Sequence, residues 1–401
     1  MPRKLPAAAG PTVTISRRGA DRLRDGHVWV YRSDIISADG ISPGALVRVT
    51  DERGKFLGTA LYSSASQIAI RMISSHEVPD LLALLRERIL QAIAYRERLL
   101  SLGNAQKTDA YRVIFSEADF LPGLIVDRYN DLLSLQILTQ AMDAEPVRQT
   151  VLAELTEKFH PAAIAERVDP KIRELEQLPP RPSSLLQGEK SATIFTMNGV
   201  KFRFDAFEGQ KTGAFLDQRE NYAAAAEYAH GEALDVFCYQ GGFALHLAQK
   251  CSHVTGVDSS RPALEVADRN ATLNGREIEW IEANAFDLLR DYSTAGRQYD
   301  TIVLDPPAFA KSKKTLDTAL RGYKELNLRA LKMLRPGGIL VTCSCSYHVS
   351  PAEFMGVLTQ ASRDVHKTIR ILENRGQAKD HPNLAVVPET AYLKCLIVNA
   401  S

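Results

Sequence analysis

Leu234-Asp235-Val236-Phe237-Cys238-Tyr239-Gln240-Gly241-Gly242-Phe243 decides how this chain folds. The apolar start reads as a strand, the glycines as a tight turn and the end as the beginning of a helix, the opening unit of a doubly wound α/β sheet. Further on, Val254-Thr255-Gly256-Val257-Asp258 ends a second strand on an acid. Glycine in the first turn lets backbone approach a ligand closely, and an acid at the second strand end is where a ribose diol is usually held. Together they predict a nucleoside site. The turn lacks the GxGxxG spacing that seats a pyrophosphate on a helix N-terminus. A cofactor without phosphates is therefore expected, and S-adenosylmethionine is the candidate. The bland alternative is a tight turn with a helix-capping Asp258.

The same alternation of strand, turn and helix extends in both directions. Strands are expected at Ala233 to Phe237, Val254 to Val257, Glu279 to Glu282, Thr301 to Leu304, Ile339 to Cys343 and Tyr392 to Val398, with helices over Pro262 to Asn274 and Arg321 to Leu334. These make residues 196–401 one doubly wound domain. Ahead of it, residues 78–195 read as an amphipathic linking helix to about Leu102, followed by a small α+β domain with strands at Tyr111 to Phe115 and Leu132 to Leu138 and a helix around Val147 to Phe159. Residues 12–77 alternate short β-rich runs with Asp39-Gly40, Pro43-Gly44 and Arg53-Gly54, the spacing of a small β-barrel. Residues 1–11 are expected to be a disordered arm.

Composition excludes several broad classes. Of 401 residues, 45% are hydrophobic and 24% charged, as in an ordinary globular protein. No apolar run approaches the ~20 residues of a membrane span, and the start lacks the continuous apolar stretch of a secretory signal. The five cysteines are odd in number and none has zinc-ligand spacing, so free thiols in a reducing cytoplasm, and no metal, are expected. Net charge is only +1, but residues 1–76 carry eleven Lys or Arg against six Asp or Glu, an excess of +5. A nucleic-acid role would rest on that local patch. A structural β-module with a solvated basic face fits it equally well.

Two motifs carry reactive groups at strand ends. Asp305-Pro306-Pro307-Ala308-Phe309 is a rigid turn, because each proline fixes φ before a substrate arrives. A carboxylate there can accept a hydrogen bond from an exocyclic amine, and Phe309 offers a face for an extruded base. In Thr342-Cys343-Ser344-Cys345-Ser346, Cys345 suits a second chemistry. Carbon 5 of a pyrimidine is a poor nucleophile until a thiolate adds at carbon 6, and such a thiol needs a lowered pKa. Cys238, Cys251 and Cys395 read as small core residues.

These residues resemble a known family. The first turn, Asp258, the DPPAF turn and the SCS run resemble the class I S-adenosylmethionine-dependent methyltransferases, and their order is similar to that of the bacterial 23S ribosomal RNA cytosine-5 methyltransferases. The block from Glu208 to Arg219 shares the likeness, and Arg22-Leu23-Arg24-Asp25-Gly26-His27-Val28-Trp29 with Pro43-Gly44 resembles the PUA domain, an RNA-binding barrel. The resemblance implies Cys345 as nucleophile and Asp305 orienting the cytosine, with Pro306, Pro307 and Phe309 at the substrate. It implies a cofactor site lined by Gln210, Phe215, Asp217, Arg219, Asp235, Tyr239, Gly241, Gly242, Asp258, Asn284 and Asp305. Two departures stand out: relatives usually hold Asp where Asn284 stands, and the second cysteine of many RNA cytosine-5 enzymes is replaced by Ala308. The base that removes the carbon 5 proton is then unassigned, with Cys343 as a substitute.

The expected partner is 23S ribosomal RNA, free or in an assembling large subunit; no membrane is involved, and the reading leaves room for a homodimer. Two other functions fit the same residues: methylation of an exocyclic amine, N2 of guanine or N4 of cytosine, which requires no thiol, and an RNA-binding assembly factor whose cofactor site is vestigial.

Overall fold

Alternating apolar residues build the first sheet. In the computed structural model, which describes residues 10–101, 107–208, 214–310 and 312–401, Val13, Ile15, Val30, Val47, Val49, Ala60 and Ile70 share one buried cluster. The expected arm falls almost wholly outside the described residues, as does Gln210. Six strands run in the order Trp29–Tyr31, Ile68–Ser74, Phe56–Tyr62, Leu46–Asp51, Thr12–Ile15, Ile35–Ser37. The register shifts in four of its five pairings, and such bulges bend a sheet around its own core.

A second sheet, ordered Ser184–Gly188, Ala163–Glu166, Leu132–Ile137, Leu124–Tyr129, Ala110–Phe115, carries the helices Leu81–Leu100 and Glu145–Phe159. Leu61 and Ile73 of the first sheet join Ile89, Ile93, Val113, Leu133 and Leu135 of this module in one apolar cluster. The two sheets thus belong to one compact unit, the chain up to Thr193 with Asp205–Gly213 and Asp380–Thr390.

Charge in this unit is largely paired. Asp34, 1% exposed, takes Arg18 and Arg22; Arg24 reaches Asp21 and Asp51; Arg17 meets Asp21; Arg48 meets Glu77; Arg71 meets Glu117 and Glu176. Arg32 donates to the carbonyls of Ser63 and Ser66. Most of the described arginines of this stretch are therefore engaged within the unit, and Arg53 and Lys55 are left without an ion pair among the described residues. Arg96 is fully buried, donating to Asp119 Oδ1 (2.5 Å), Arg112 O (3.1 Å) and Asp380 O (2.9 Å). The carboxylate of Asp380 in turn accepts from Arg112 N at 2.9 Å. The segment Asp380–Thr390, distant in sequence, is fastened by this arginine.

The other unit, Ile194–Phe204, Ala214–Lys379 and Ala391–Ser401, holds the doubly wound sheet. Its strands are β1 (Glu232–Val236), β2 (His253–Asp258), β3 (Glu279–Glu282), β4 (Tyr299–Leu304), β5 (Leu334–Ser344), β6 (Ile369–Arg375) and β7 (Lys394–Ala400), ordered β3-β2-β1-β4-β5-β7-β6. The first five in that order pair in parallel, and β7 is antiparallel to both β5 and β6. Near-continuous apolar runs in β1, β4 and β5 match strands covered on both faces. Six helices alternate with the strands: α1 (Arg219–Tyr228), α2 (Gly242–Leu247), α3 (Arg261–Leu273), α4 (Ala285–Thr294), α5 (Leu316–Met333) and α6 (Pro351–Asp364).

Removing the buried arginine leaves Asp119 buried without its counter-charge. Arg96→Ala should destabilise the first unit by about 3–5 kcal/mol, read as a lower-temperature unfolding transition in calorimetry.

Candidate active site

The carboxyl ends of β1, β2 and β4 place three carboxylates on one edge of the sheet. At the end of β1 the backbone turns through Phe237 (φ 67°), Tyr239 (φ 48°) and Gly241 (φ 85°). Two of the three are non-glycine residues held in the left-handed region, a conformation that marks strained functional turns. Side chains have no room around it: a Cβ on Gly242 would lie 2.5 Å from the Tyr222 ring, and one on Gly256, within β2, 2.3 Å from Trp280.

Asp235 is fully buried beneath this turn. Its Oδ2 accepts from Ala244 N at 2.8 Å, inside the first turn of α2, while Oδ1 has no partner among the described residues. Burial pushes the carboxyl up to about 8, and the charges of Asp305 and Asp258 add to it. Asp258 fixes the turn from β2: Oδ2 accepts from Tyr239 N (2.9 Å) and Oδ1 from Ser260 N (2.8 Å). The Tyr239 ring meets Phe215 edge to face at 5.1 Å between centroids.

Asp305 follows β4. Burial lifts it to about 7, Asp217 repels it further, and a bond from Gln218 Nε2 to its Oδ1 (2.9 Å) works against both. Gln218 is positioned by Asn221 Nδ2, which donates to its Oε1 at 2.7 Å, and Asp217 Oδ2 accepts from Tyr392 OH at 2.7 Å. Arg219 opens α1 and is 4% exposed. Desolvated carboxylates crowded together want a cation. The unpartnered Asp235 oxygen under a glycine turn fits the ammonium and sulfonium charges of S-adenosylmethionine, so the residues present match that cofactor. The Trp280 ring nitrogen, buried and without a partner among the described residues, belongs to a ring that lies beside Gly241 and Gly256.

Asn284 is where the resemblance and the geometry compete. It caps α4, its Oδ1 accepting from Phe286 N (2.9 Å) and Asp287 N (3.3 Å), so an adenine amine there shares that oxygen with the cap.

The SCS run is clasped to the DPPAF turn. Ser346 Oγ accepts from Ala310 N (3.1 Å) and pairs with Tyr323 OH (2.9 Å), to which Ser344 Oγ donates (3.0 Å). Between the two serines, Cys345 Sγ donates to Pro306 O at 3.9 Å. Pro306 is buried and Pro307 exposed. Phe309 packs on Tyr323 at 4.8 Å and against Phe286 at 5.9 Å, so much of its ring serves the core, while Phe286 is the more open aromatic. Cys343 is fully buried and paired across the sheet with Cys395; burial drives its thiol well up, as it does for Cys238, while Cys251 rises to about 11. A thiol so placed makes Cys343 a poor proton acceptor.

Sequence reading left out Gln218, Tyr222, Tyr323 and Lys394. A lysine inside the apolar run Leu393-Lys394-Cys395-Leu396 was the one available signal, since a charge in a covered strand is rarely idle.

The strand order and the carboxylate-lined first turn define a class I methyltransferase domain. Known proteins agree. The profile of the S-adenosylmethionine-dependent methyltransferases matches residues 130–399, and that of PUA-like domains matches residues 13–75. The ribosomal RNA large subunit methyltransferase I of Shewanella denitrificans is 39% identical over 92% of this chain and 94% of its own, and that of Tolumonas auensis 38% identical over 97% and 99%. The crystal structure of SMU.776 complexed with SAH superposes with a TM-score of 0.82 at 18% identity, covering 97% of this chain and 99% of that one, which shows the shared fold. This chain belongs to the ribosomal RNA large subunit methyltransferase I family of S-adenosylmethionine-dependent methyltransferases. Among the described residues no helix is long and apolar enough to cross a membrane, and none of their His, Cys, Asp and Glu side chains cluster to hold a metal.

The raised carboxyls make stability depend on pH. Unfolded, Asp235 and Asp305 titrate near ~3.9; folded, near about 8 and about 7. Across that window the unfolded chain binds fewer protons than the folded one, so stability falls as pH rises from ~4 to ~8. Thermal unfolding of the cofactor-free protein should show this slope, and Asp235→Asn, which keeps an acceptor for Ala244 N, should flatten it and unfold later than wild type at pH 8.

Proposed function

We propose that this protein transfers a methyl group from S-adenosylmethionine to carbon 5 of a cytidine in large-subunit ribosomal RNA, with Cys345 as covalent nucleophile. The observation that carries the reading is the clasp: Cys345 Sγ lies on Pro306 O, between two serines locked to Tyr323 and Ala310. That arrangement sets a thiol beside Asp305, where a base entering over the turn would meet both. The relatives' names, with a PUA-like domain at residues 13–75, support ribosomal RNA as the substrate.

Asp235 would take the cofactor's ammonium, Asp258 its ribose, and Tyr239, Gly241 and Gly242 the backbone approach between them. Phe215, Asp217 and Arg219 would close the same site from the start of α1. When bound, S-adenosylmethionine supplies an electrophilic methyl. The Cys345 thiolate adds to carbon 6, and the electron pair of the 5,6 double bond becomes the nucleophile at carbon 5. Asp305, poised near neutrality, accepts from the exocyclic amine and, when protonated, donates to the ring as negative charge builds there. Loss of the carbon 5 proton after methyl transfer restores the double bond and expels the thiolate.

Nucleosides from ribosomal RNA treated with the purified protein and labelled cofactor test this directly. Label should appear in 5-methylcytidine, fall to background in Cys345→Ala, and fall about 10²–10⁴-fold in Asp305→Asn, the range for a positioned proton-transfer group. Label on N2 of guanine or N4 of cytosine, or label indifferent to Cys345→Ala, would transfer the protein to amine methylation.

A further inference from the structure

We propose that Lys394 is the positioning residue that keeps Cys345 ionised: its ammonium, enclosed at the start of β7, stands as counter-charge to the thiolate. This rests on the covalent reading of Cys345 given above.

Register brings the two together. Lys394 is the first residue of β7 and pairs across the antiparallel ladder with Ser344, the residue before Cys345. Its Nζ donates to Ser346 O at 2.6 Å, the carbonyl of the residue after Cys345, and to Tyr392 O at 2.8 Å. Lys394 therefore flanks the cysteine, its backbone opposite the residue before it and its ammonium on the carbonyl of the residue after it. It is 6% exposed and makes no ion pair among the described residues, an expensive state for a lysine. Two carbonyls fix its position without neutralising it.

The electrostatic surroundings point the same way. Burial lowers Lys394 to about 8, against which the charges of Cys345 and Glu353 act to raise it. Because interaction is mutual, an ammonium favoured by the thiolate favours the thiolate in return. Starting from thiol and free amine, one proton passes from sulfur to nitrogen, giving a thiolate and an ammonium with no other reactant. The other titratable groups around the pair are Tyr323 on α5, whose hydroxyl burial keeps protonated, Glu353 on α6, Asp305 next to the Pro306 carbonyl, and His348 in the loop after the SCS run. Among them Lys394 is the lysine whose charge interacts with Cys345, held on the carbonyl of the next residue.

A purely structural lysine, holding β7 to the end of β5, would leave the thiol's titration unchanged, and that separates the two roles. The rate of iodoacetamide alkylation of Cys345 in the full-length protein is followed against pH by mass spectrometry of its peptide. Wild type should show an apparent pKa at least about one unit below the ordinary ~8.5. Lys394→Met should raise it by about one unit or more, slowing alkylation near neutrality about tenfold, and Lys394→Arg should restore it. A reciprocal measurement keeps both carbonyl contacts intact: in Cys345→Ala the Lys394 side chain, followed by carbon-13 NMR, should titrate lower than in wild type. A wild-type thiol at ~8.5 or above, a Lys394→Met profile superimposable on wild type, or an unmoved lysine in Cys345→Ala would each overturn the proposal. None of these depends on methyl transfer, so failure of the covalent reading, seen as activity surviving Cys345→Ala, is distinguishable from failure here.

Discussion

Repulsion among carboxylates at the carboxyl edge of the doubly wound sheet is the constraint around which the methyltransferase unit is arranged. Asp235, Asp258 and Asp305 end or follow three adjacent strands, and Asp217 approaches from the segment before α1; burial and mutual charge lift Asp235 to about 8 and Asp305 to about 7. Among the described residues no basic side chain pairs with Asp235, Asp258 or Asp305. Backbone amides absorb part of the charge, at Ala244 for Asp235 and at Tyr239 and Ser260 for Asp258, and Gln218 absorbs part of it at Asp305. What remains is an edge that is unstable as an anion and is relieved by a cation, the property that a sulfonium cofactor exploits.

The same edge explains why the turn after β1 is strained. Three backbone positions with positive φ bring Tyr239 N onto Asp258 and leave Asp235 Oδ1 uncovered. A relaxed turn would let a backbone amide satisfy that oxygen, which would stabilise the cofactor-free protein and remove the site. Strain of roughly 1–3 kcal/mol at each of the two non-glycine positions, Phe237 and Tyr239, is of the size that a buried core of this extent can carry.

Much of this was legible in the sequence, for reasons that differ from element to element. Covered strands read well because their aliphatic runs admit little else: Glu279–Glu282 was bounded to the residue, and β1, β2 and β4 within two. β6 was missed, because an edge strand with the pattern Ile-Arg-Ile-Leu-Glu-Asn-Arg buries none of its residues and shows neither a long apolar run nor a clean alternation. The helix Arg17–Arg24 was missed for a related reason: its arginines are there to serve Asp21, Asp34 and Asp51, and a charge-rich octet has no apolar stripe. The basic excess of the first 76 residues was counted correctly, yet a count cannot tell a paired arginine from an available one. Nor could it foresee that Asp380–Thr390 belongs with the first unit, since that contact depends on Arg96, nearly three hundred residues earlier in the chain.

Topology accounts for the part of the site that no motif announced. In an all-parallel sheet every strand begins at the amino edge, far from the chemistry, so strand starts contribute little to catalysis. β7 runs the other way, and its first residue consequently lies level with the last residues of β5, Ser344 opposite Lys394. Reversal of a single strand thus delivers a side chain from a strand start to the edge where Cys345 sits. The serines either side of that cysteine are held by Tyr323 from α5, and Lys394 reaches the far serine's carbonyl from β7, so the residues flanking the thiol are fixed from a covering helix and from the neighbouring strand. Cys343 and Cys395 are fully buried and meet each other across the ladder, whereas Cys345 stands past the end of β5 with its sulfur on Pro306 O. That contrast between neighbouring cysteines of identical chemistry supports the proposed role of Cys345.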